Sequence, residues 1–120
     1  LADRLFRPTE KATKAEVWLL IDAANSSATF HLANAAKGNG MATLVGQPTG
    51  GNLRGTNGGG VFFLTLPNSK VEMDLPIFGS YPMTEQPDRG VEPDILVVPT
   101  MKDFLEGRDV VLERVLAETE

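Results

Sequence analysis

The chain has 120 residues, of which 42% are apolar and 22% charged, a size and composition ordinary for one globular domain. Its net charge of −5, with no basic cluster, argues against a nucleic-acid-binding surface, and no apolar run is long enough to cross a bilayer. Because the chain contains no cysteine, disulfides, zinc–thiolate sites and cysteine nucleophiles are excluded.

The first segment, residues 1–14, mixes charged residues around Leu5 and Phe6, and Pro8 limits any helix before it. We interpret this segment as a linker or a truncated element. The chain starts with Leu1 and shows no signal segment, so we expect it to be a piece of a longer protein.

A strand, a polar turn and a helix follow. The apolar run from Val17 to Ile21 predicts a strand buried on both faces. The turn and helix-capping residues come next: Asp22, Asn25, Ser26 and Ser27. An alanine-rich helix is predicted to about Lys37, with an apolar face formed by Ala28, Leu32, Ala35 and Ala36.

Ser27 lies where the strand gives way to the helix. Backbone N–H groups are unpaired at a helix start and the helix dipole favours negative charge there. An alkoxide or a tetrahedral oxyanion would therefore be stabilised at Ser27, although a serine at this place is more often only a helix cap.

The segment from Ala42 to Val45 predicts a second strand, and a strand–helix–strand unit normally lies in a parallel sheet. Seven of the next fifteen residues, Gly46 to Gly60, are glycines. They indicate either close approach of a ligand or another strand, or a flexible surface loop. The pattern is not that of a phosphate-binding loop.

The remaining elements are shorter. The runs Val61 to Leu66 and Val71 to Leu75 predict a hairpin with one face buried, and Ile95 to Val98 predicts a buried strand. Thr100 and Asp103 are typical of a helix cap. The last helix has a predicted apolar stripe of Val111, Leu112, Val115 and Leu116. Three basic residues are expected to be surface charges: Lys37, Arg54 and Lys70.

Four stretches occur together in order: N-S-S-A after the strand, G-M-A-T-L-V-G-Q-P-T-G-G-N, the hairpin carrying L-P-N-S, and G-V-E-P-D-I. With them, residues 15–116 resemble the C-terminal part of the catalytic domain of the S41 peptidases, the tail-specific or C-terminal processing proteases. The resemblance implies an α/β fold with a ClpP/crotonase-like core, here a partial domain over residues 15–120 with an added hairpin.

The resemblance also implies a site. Ser27 would be the nucleophile of a serine-type peptidase, and the backbone N–H of Ala28 would be an oxyanion donor. Members with a Ser/Lys dyad carry a lysine where this chain has Asn52, so the chain is more similar to the tricorn-like branch, whose base is a histidine from an earlier part of the chain. Glu85 is the nearest match to the glutamate that completes that site.

Some observations leave alternatives open. His31 lies four residues after Ser27, but we expect it to be a packing or surface histidine because its ring would not be oriented toward the serine oxygen. Thr29 and Phe30 depart from the family pattern. A non-catalytic ligand- or protein-binding module, as in the retinoid-binding relatives, and an acyl-CoA enzyme of the crotonase type are therefore alternatives to the peptidase.

The peptidase interpretation carries further expectations. The partner is a polypeptide substrate, and neither a metal nor an organic cofactor is implied. By resemblance we expect an exported bacterial protein of the periplasm or cell envelope. An open sheet edge would favour pairing between chains, which makes a homodimer one expected assembly. The isolated chain is expected to be inactive without its base.

Overall fold

A computed structural model describes residues 15–119. The predicted linker, residues 1–14, lies outside the described residues. The chain divides into two compact units. One contains the described residues up to Gly51 together with those from Gly90 onward, and the other is Asn52–Arg89.

The elements follow one another in this order: β1 (Trp18–Ile21), α1 (Ser27–Gly38), β2 (Thr43–Gly46), β3 (Thr56–Asn57), β4 (Val61–Thr65), β5 (Glu72–Pro76), β6 (Gly79–Ser80), β7 (Ile95–Leu96), α2 (Met101–Leu105) and α3 (Val110–Thr119).

The first unit is built on a parallel sheet with the strand order β1-β2-β7. Leu20 of β1 is paired with Val45 of β2, and Val45 with Ile95 of β7. The prediction of a strand–helix–strand unit in a parallel sheet, and of an α/β fold, is confirmed. The middle strand forms the core, with Leu44 and Val45 fully buried.

The prediction that Val17 to Ile21 is buried on both faces is wrong, and so is the prediction that Ile95 to Val98 is buried. Leu20 is 41% exposed and Leu96 is 64% exposed. Within residues 15–119, both strands lie at a sheet edge and have one neighbouring strand each, whereas β2 has two. An apolar run alone does not distinguish a central strand from an edge strand.

The buried face of α1 agrees with the predicted one at Ala36 but is otherwise different. Its buried residues are Phe30, Ala33 and Ala36, while Ala28 and Leu32 are exposed. The large ring of Phe30 determines which side of the helix faces the core, because it offers far more apolar area than any alanine. The helix ends at Gly38, where the N–H of Asn39 donates to the Ala35 carbonyl at 3.1 Å.

The helix α2 begins with a capping box. Thr100 and Asp103 form a capping box at the start of α2, as predicted: the Thr100 hydroxyl accepts from the Asp103 N–H, and the Asp103 carboxylate accepts from the Thr100 N–H. In α3 only Val115 of the predicted stripe is buried. Leu112 and Leu116 are exposed, because the helix packs on β1 and β2 through fewer residues than the predicted apolar stripe contains.

The second unit contains the predicted hairpin, in which β4 and β5 pair antiparallel with Phe62 opposite Leu75 and Leu64 opposite Met73. A short pair of strands, β3 and β6, accompanies it. The prediction that one hairpin face is buried is wrong: Val71 is 51% exposed and Met73 is 43% exposed. A two-stranded ribbon buries a face only where another layer covers it.

Candidate active site

The turn between β1 and α1 is closed by its own polar groups. The Asn25 side-chain carbonyl accepts from the Asp22 N–H at 2.8 Å, and the Asp22 carboxylate accepts from the Ala24 N–H at 2.9 Å. The Asn25 N–H donates in return to the Asp22 carbonyl at 3.1 Å. These short-range bonds are typical of Asx turns, and they allow the chain to pass from strand to helix within a few residues.

Ser27 is the first residue of α1, as the sequence predicts, and its backbone has φ of +51°. The left-handed region costs a non-glycine residue about 1–2 kcal/mol. The N-cap is Ser26, with extended backbone and no capping hydrogen bond from its side chain. The helix therefore starts from a strained serine and lacks the bond that ordinarily favours serine at such a place.

The first turn of the helix offers free backbone donors. Its earliest helical bond runs from the Phe30 N–H to the Ser26 carbonyl at 3.4 Å, and the Thr29 hydroxyl donates to the same carbonyl at 2.9 Å. Within residues 15–119 no hydrogen bond uses the N–H of Ala28. Ser27 and Ala28 are both exposed, so this donor lies beside an accessible hydroxyl group.

A glycine-containing loop after β2 packs against this turn. The Gln47 N–H donates to the Ile21 carbonyl at 2.8 Å, and the Gly51 N–H donates to the Asn25 carbonyl at 3.1 Å. A Cβ at Gly51 would collide with the ring of Phe30. In this part of the glycine-rich stretch, the glycines allow the backbone to approach the turn and the helix closely. The alternative prediction of a flexible surface loop does not hold here.

The G-V-E-P-D-I segment is held by Lys37 at the end of α1. The Lys37 ammonium lies 2.9 Å from the Asp94 carboxylate and donates to the Glu92 carbonyl at 2.6 Å. Asp94 also accepts from the Leu44 N–H of β2 at 2.9 Å. The bond from Leu44 and then that from Lys37 lower the pKa of Asp94. Sequence reasoning treated Lys37 as a surface charge and missed this contact, which joins residues 57 positions apart.

His31 packs on its neighbour. Its ring meets the ring of Phe30 edge to face, with centroids 5.2 Å apart and an angle of 62° between the planes. The side chain is otherwise exposed. This confirms the prediction of a packing or surface histidine.

Asn52, in the second unit, has its side chain engaged. Its amide nitrogen donates to Asp88 at 2.5 Å and its amide oxygen accepts from the Arg54 N–H at 2.9 Å. Arg54 adds an ion pair with Asp88 at 3.3 Å. The bond from Asn52, followed by the bond and charge of Arg54, lowers the pKa of Asp88. Arg54 is thus an exposed charge with a partner. The bond from Asn52 to Asp88 joins the first residue of the second unit to a residue near its end.

The predicted site residues belong to both units. Ser27 and Ala28 lie side by side in the first unit, whereas Glu85 is an exposed residue of the second unit, in the segment after β6. Residues 15–119 contain no group of acidic or histidine side chains arranged to hold a metal ion. Over the same residues, no helix combines the length and apolar character that a membrane span requires.

A cavity of about 260 Å³ lies at the carboxyl end of β1, next to the turn. It is lined by both apolar and polar side chains: Leu20, Ile21, Asp22, Asn25, Gln47, Pro99, Asp109 and Val111. Ser27 is not part of its lining. In open α/β sheets, ligands bind at the carboxyl ends of the strands, and this cavity has that position.

A strained serine at a strand–helix junction, beside a free backbone donor, is the arrangement in which α/β-hydrolases present their nucleophile. The model of peptidase family S41 matches residues 3–97. The chain therefore belongs to peptidase family S41, and membership implies serine peptidase chemistry in general. A search of the curated proteins found no significant match.

Proposed function

We propose that this chain supplies the nucleophile of a serine peptidase, with Ser27 attacking the scissile carbonyl and the Ala28 N–H donating to the resulting oxyanion. The positive φ of Ser27, at an exposed helix start without a capping bond, carries the proposal. Strained non-glycine residues persist where the surrounding structure holds them, and they cluster at active sites.

The reaction would proceed in two steps through an acyl-enzyme. The Ser27 oxygen bonds to the carbonyl carbon as its proton passes to a general base, and the peptide C–N bond breaks as the amine leaves with a proton. Water then hydrolyses the ester and frees the serine. Throughout, the helix start stabilises the oxyanion by its dipole and by the N–H of Ala28.

None of the described residues is proposed as that general base. The ring of His31 packs edge to face against Phe30, one helical turn beyond the serine. The amide of Asn52 is not basic and is bonded to Asp88. This second observation supports a branch of the family that works without a Ser/Lys dyad, in which the base is a histidine and Glu85 completes the site.

The same proposal includes a ClpP/crotonase-like core and a polypeptide substrate. The parallel strand–helix–strand unit supports the former. Family membership supports the latter. The cavity beside the turn has room for one substrate side chain at a strand end close to the nucleophile in sequence.

The test compares two neighbouring serines in the full-length protein, with hydrolysis of an unstructured polypeptide as the measurement. Ser27→Ala should lower kcat by at least about 10³-fold, as removal of a nucleophile does. Ser26→Ala should keep most of the activity, because the Ser26 side chain makes no capping bond. Equal losses in both variants, or full activity in Ser27→Ala, would contradict the proposal.

A further inference from the structure

Thr49 is the buried polar side chain next to this turn, and it is only 5% exposed. Its N–H donates to the Val91 carbonyl at 3.1 Å, and its hydroxyl oxygen accepts from the Val91 N–H at 2.8 Å. The hydroxyl group donates to the Gly51 carbonyl, with the two oxygens 3.5 Å apart. Thr49 thus joins the loop after β2 to a segment 42 positions later in the chain.

The loop that Thr49 anchors touches the turn on both sides of Ser27. Before the serine, the Gly51 N–H donates to the Asn25 carbonyl, and Gly50 lies so close to Ala23 that a Cβ would meet the Ala23 carbonyl. After the serine, Gly51 lies against the ring of Phe30. A shift of this loop would therefore move both flanks of the strained residue.

Hydrogen bonds within the turn are not enough to hold Ser27 in its strained backbone conformation. The Asx turn fixes Asp22 to Asn25, but the Ser26 side chain makes no bond to the helix start. The peptide between Asn25 and Ser26 is held from outside through its carbonyl, by Gly51. Backbone strain of this kind persists only where surrounding contacts over-determine it.

We infer that Thr49 is a positioning residue for the nucleophile: its hydroxyl locks the loop that holds Ser27 in its strained, exposed conformation. The inference rests on the proposed role of Ser27. Removal of the hydroxyl leaves the buried Val91 N–H without its partner and frees the Gly51 carbonyl, so the loop loosens.

The experiment uses the full-length protein with Thr49→Val, which keeps the shape but lacks the hydroxyl, and Thr49→Ser, which restores it. The rate of labelling of Ser27 by a fluorophosphonate and the kcat for a polypeptide should fall about tenfold or more in Thr49→Val, because small displacements of a nucleophile are costly. The loss should fall mainly on kcat, because the bonds of Thr49 hold the end of the loop at Gly51, whereas Gln47, which lines the cavity, is held by its own bond to Ile21. Thr49→Ser should return both rates toward wild type.

Val115→Ala is the control for a general loss of stability, because Val115 is buried in α3 and, within residues 15–119, forms no hydrogen bond to the loop. All rates are measured well below the melting temperature of each variant. A Val115→Ala protein with the same lowered melting temperature should label at the wild-type rate. Wild-type labelling in Thr49→Val, an equal loss in Val115→Ala, or no rescue by Thr49→Ser would overturn the inference.

Hydrogen exchange separates this inference from the proposed function. In Thr49→Val the amides of residues 47–52 should exchange about tenfold faster, which corresponds to one lost hydrogen bond. In Thr49→Ser they should not. If Ser27 never labels in wild type, the proposed function fails, and unchanged exchange in Thr49→Val would overturn the positioning role on its own.

Discussion

Two described non-glycine residues have a positive φ and an exposed side chain, Ser27 and Lys70, and of these Ser27 lies at a helix start. Its φ of +51° is costly for any residue with a Cβ, and its side chain is exposed, so no buried packing repays the cost. Glycine would occupy the position without strain. A serine hydroxyl at this place is explained by chemistry better than by folding.

The strain can be measured by substitution. Glycine at position 27 removes the backbone strain of about 1–2 kcal/mol. Part of this gain is offset because glycine increases the conformational entropy of the unfolded chain. Ser27→Gly should therefore be more stable than Ser27→Ala by about 0.5–1 kcal/mol in denaturant unfolding.

Lys70, with φ of +59°, is the matched position without a proposed role. Lys70→Gly should exceed Lys70→Ala in stability by a similar amount, with no effect on labelling of Ser27. If the Lys70 pair behaves this way while Ser27→Ala is as stable as Ser27→Gly, Ser27 is not strained.

The position of Ser27 could be predicted from sequence, but its strain could not. The strand run and the polar turn residues locate the helix start to within one residue. The sign of φ depends instead on the loop at Gly51 and on Thr49, which reach the turn through contacts between distant parts of the chain. Local patterns do not encode such contacts.

At the scale of elements, α1, β2 and β7 are joined by one charged contact. Asp94, just before β7, receives the Leu44 N–H of β2 and the ammonium of Lys37 in α1. Both interactions favour the carboxylate, so the pKa of Asp94 is lower in the folded chain than its ordinary value. The contact fixes the register of β7 on β2.

This lowered pKa predicts a pH dependence. A carboxylate with a depressed folded-state pKa stabilises the fold above its unfolded pKa, and the contribution is lost as pH falls through the folded value, that is, below about pH 4. Asp94→Asn should be less stable than wild type at pH 7, and the difference should shrink in denaturant unfolding as pH falls from about 4 toward 2.

Lys37→Gln should show only part of this change, because the bond from Leu44, the larger cause of the shift, remains. A constant difference between Asp94→Asn and wild type over the whole acid range would contradict the role assigned to Asp94.

Element types were predictable, and their buried faces were less so. The strand, helix, second strand and hairpin are each found within one or two residues of their predicted limits. The face of α1 that alanine spacing predicts is correct at Ala36 and wrong at Ala28 and Leu32, because Phe30 outweighs the alanines. Edge strands were taken for central ones since both have the same apolar composition.

At the scale of the whole chain, the glycine-rich stretch divides between the two units. Gly51 is the last residue of this part of the first unit, and it packs against Phe30. Asn52 is the first residue of the second unit, and its side chain is bonded to Asp88. The sequence showed one unbroken stretch of unusual composition here, and nothing in it marks the boundary. The four motifs nevertheless indicated the family, which the family model confirms.

The most direct measurement is covalent labelling of the full-length protein with a fluorophosphonate, followed by mass spectrometry of the labelled peptide. An adduct on Ser27 in the native protein, absent from Ser27→Ala and from the denatured wild type, is the expected result, because the hydroxyl is activated only in the folded protein, where the turn and the general base are in place. No adduct on native Ser27, under conditions in which a control serine hydrolase is fully labelled, would contradict the assignment of Ser27 as nucleophile.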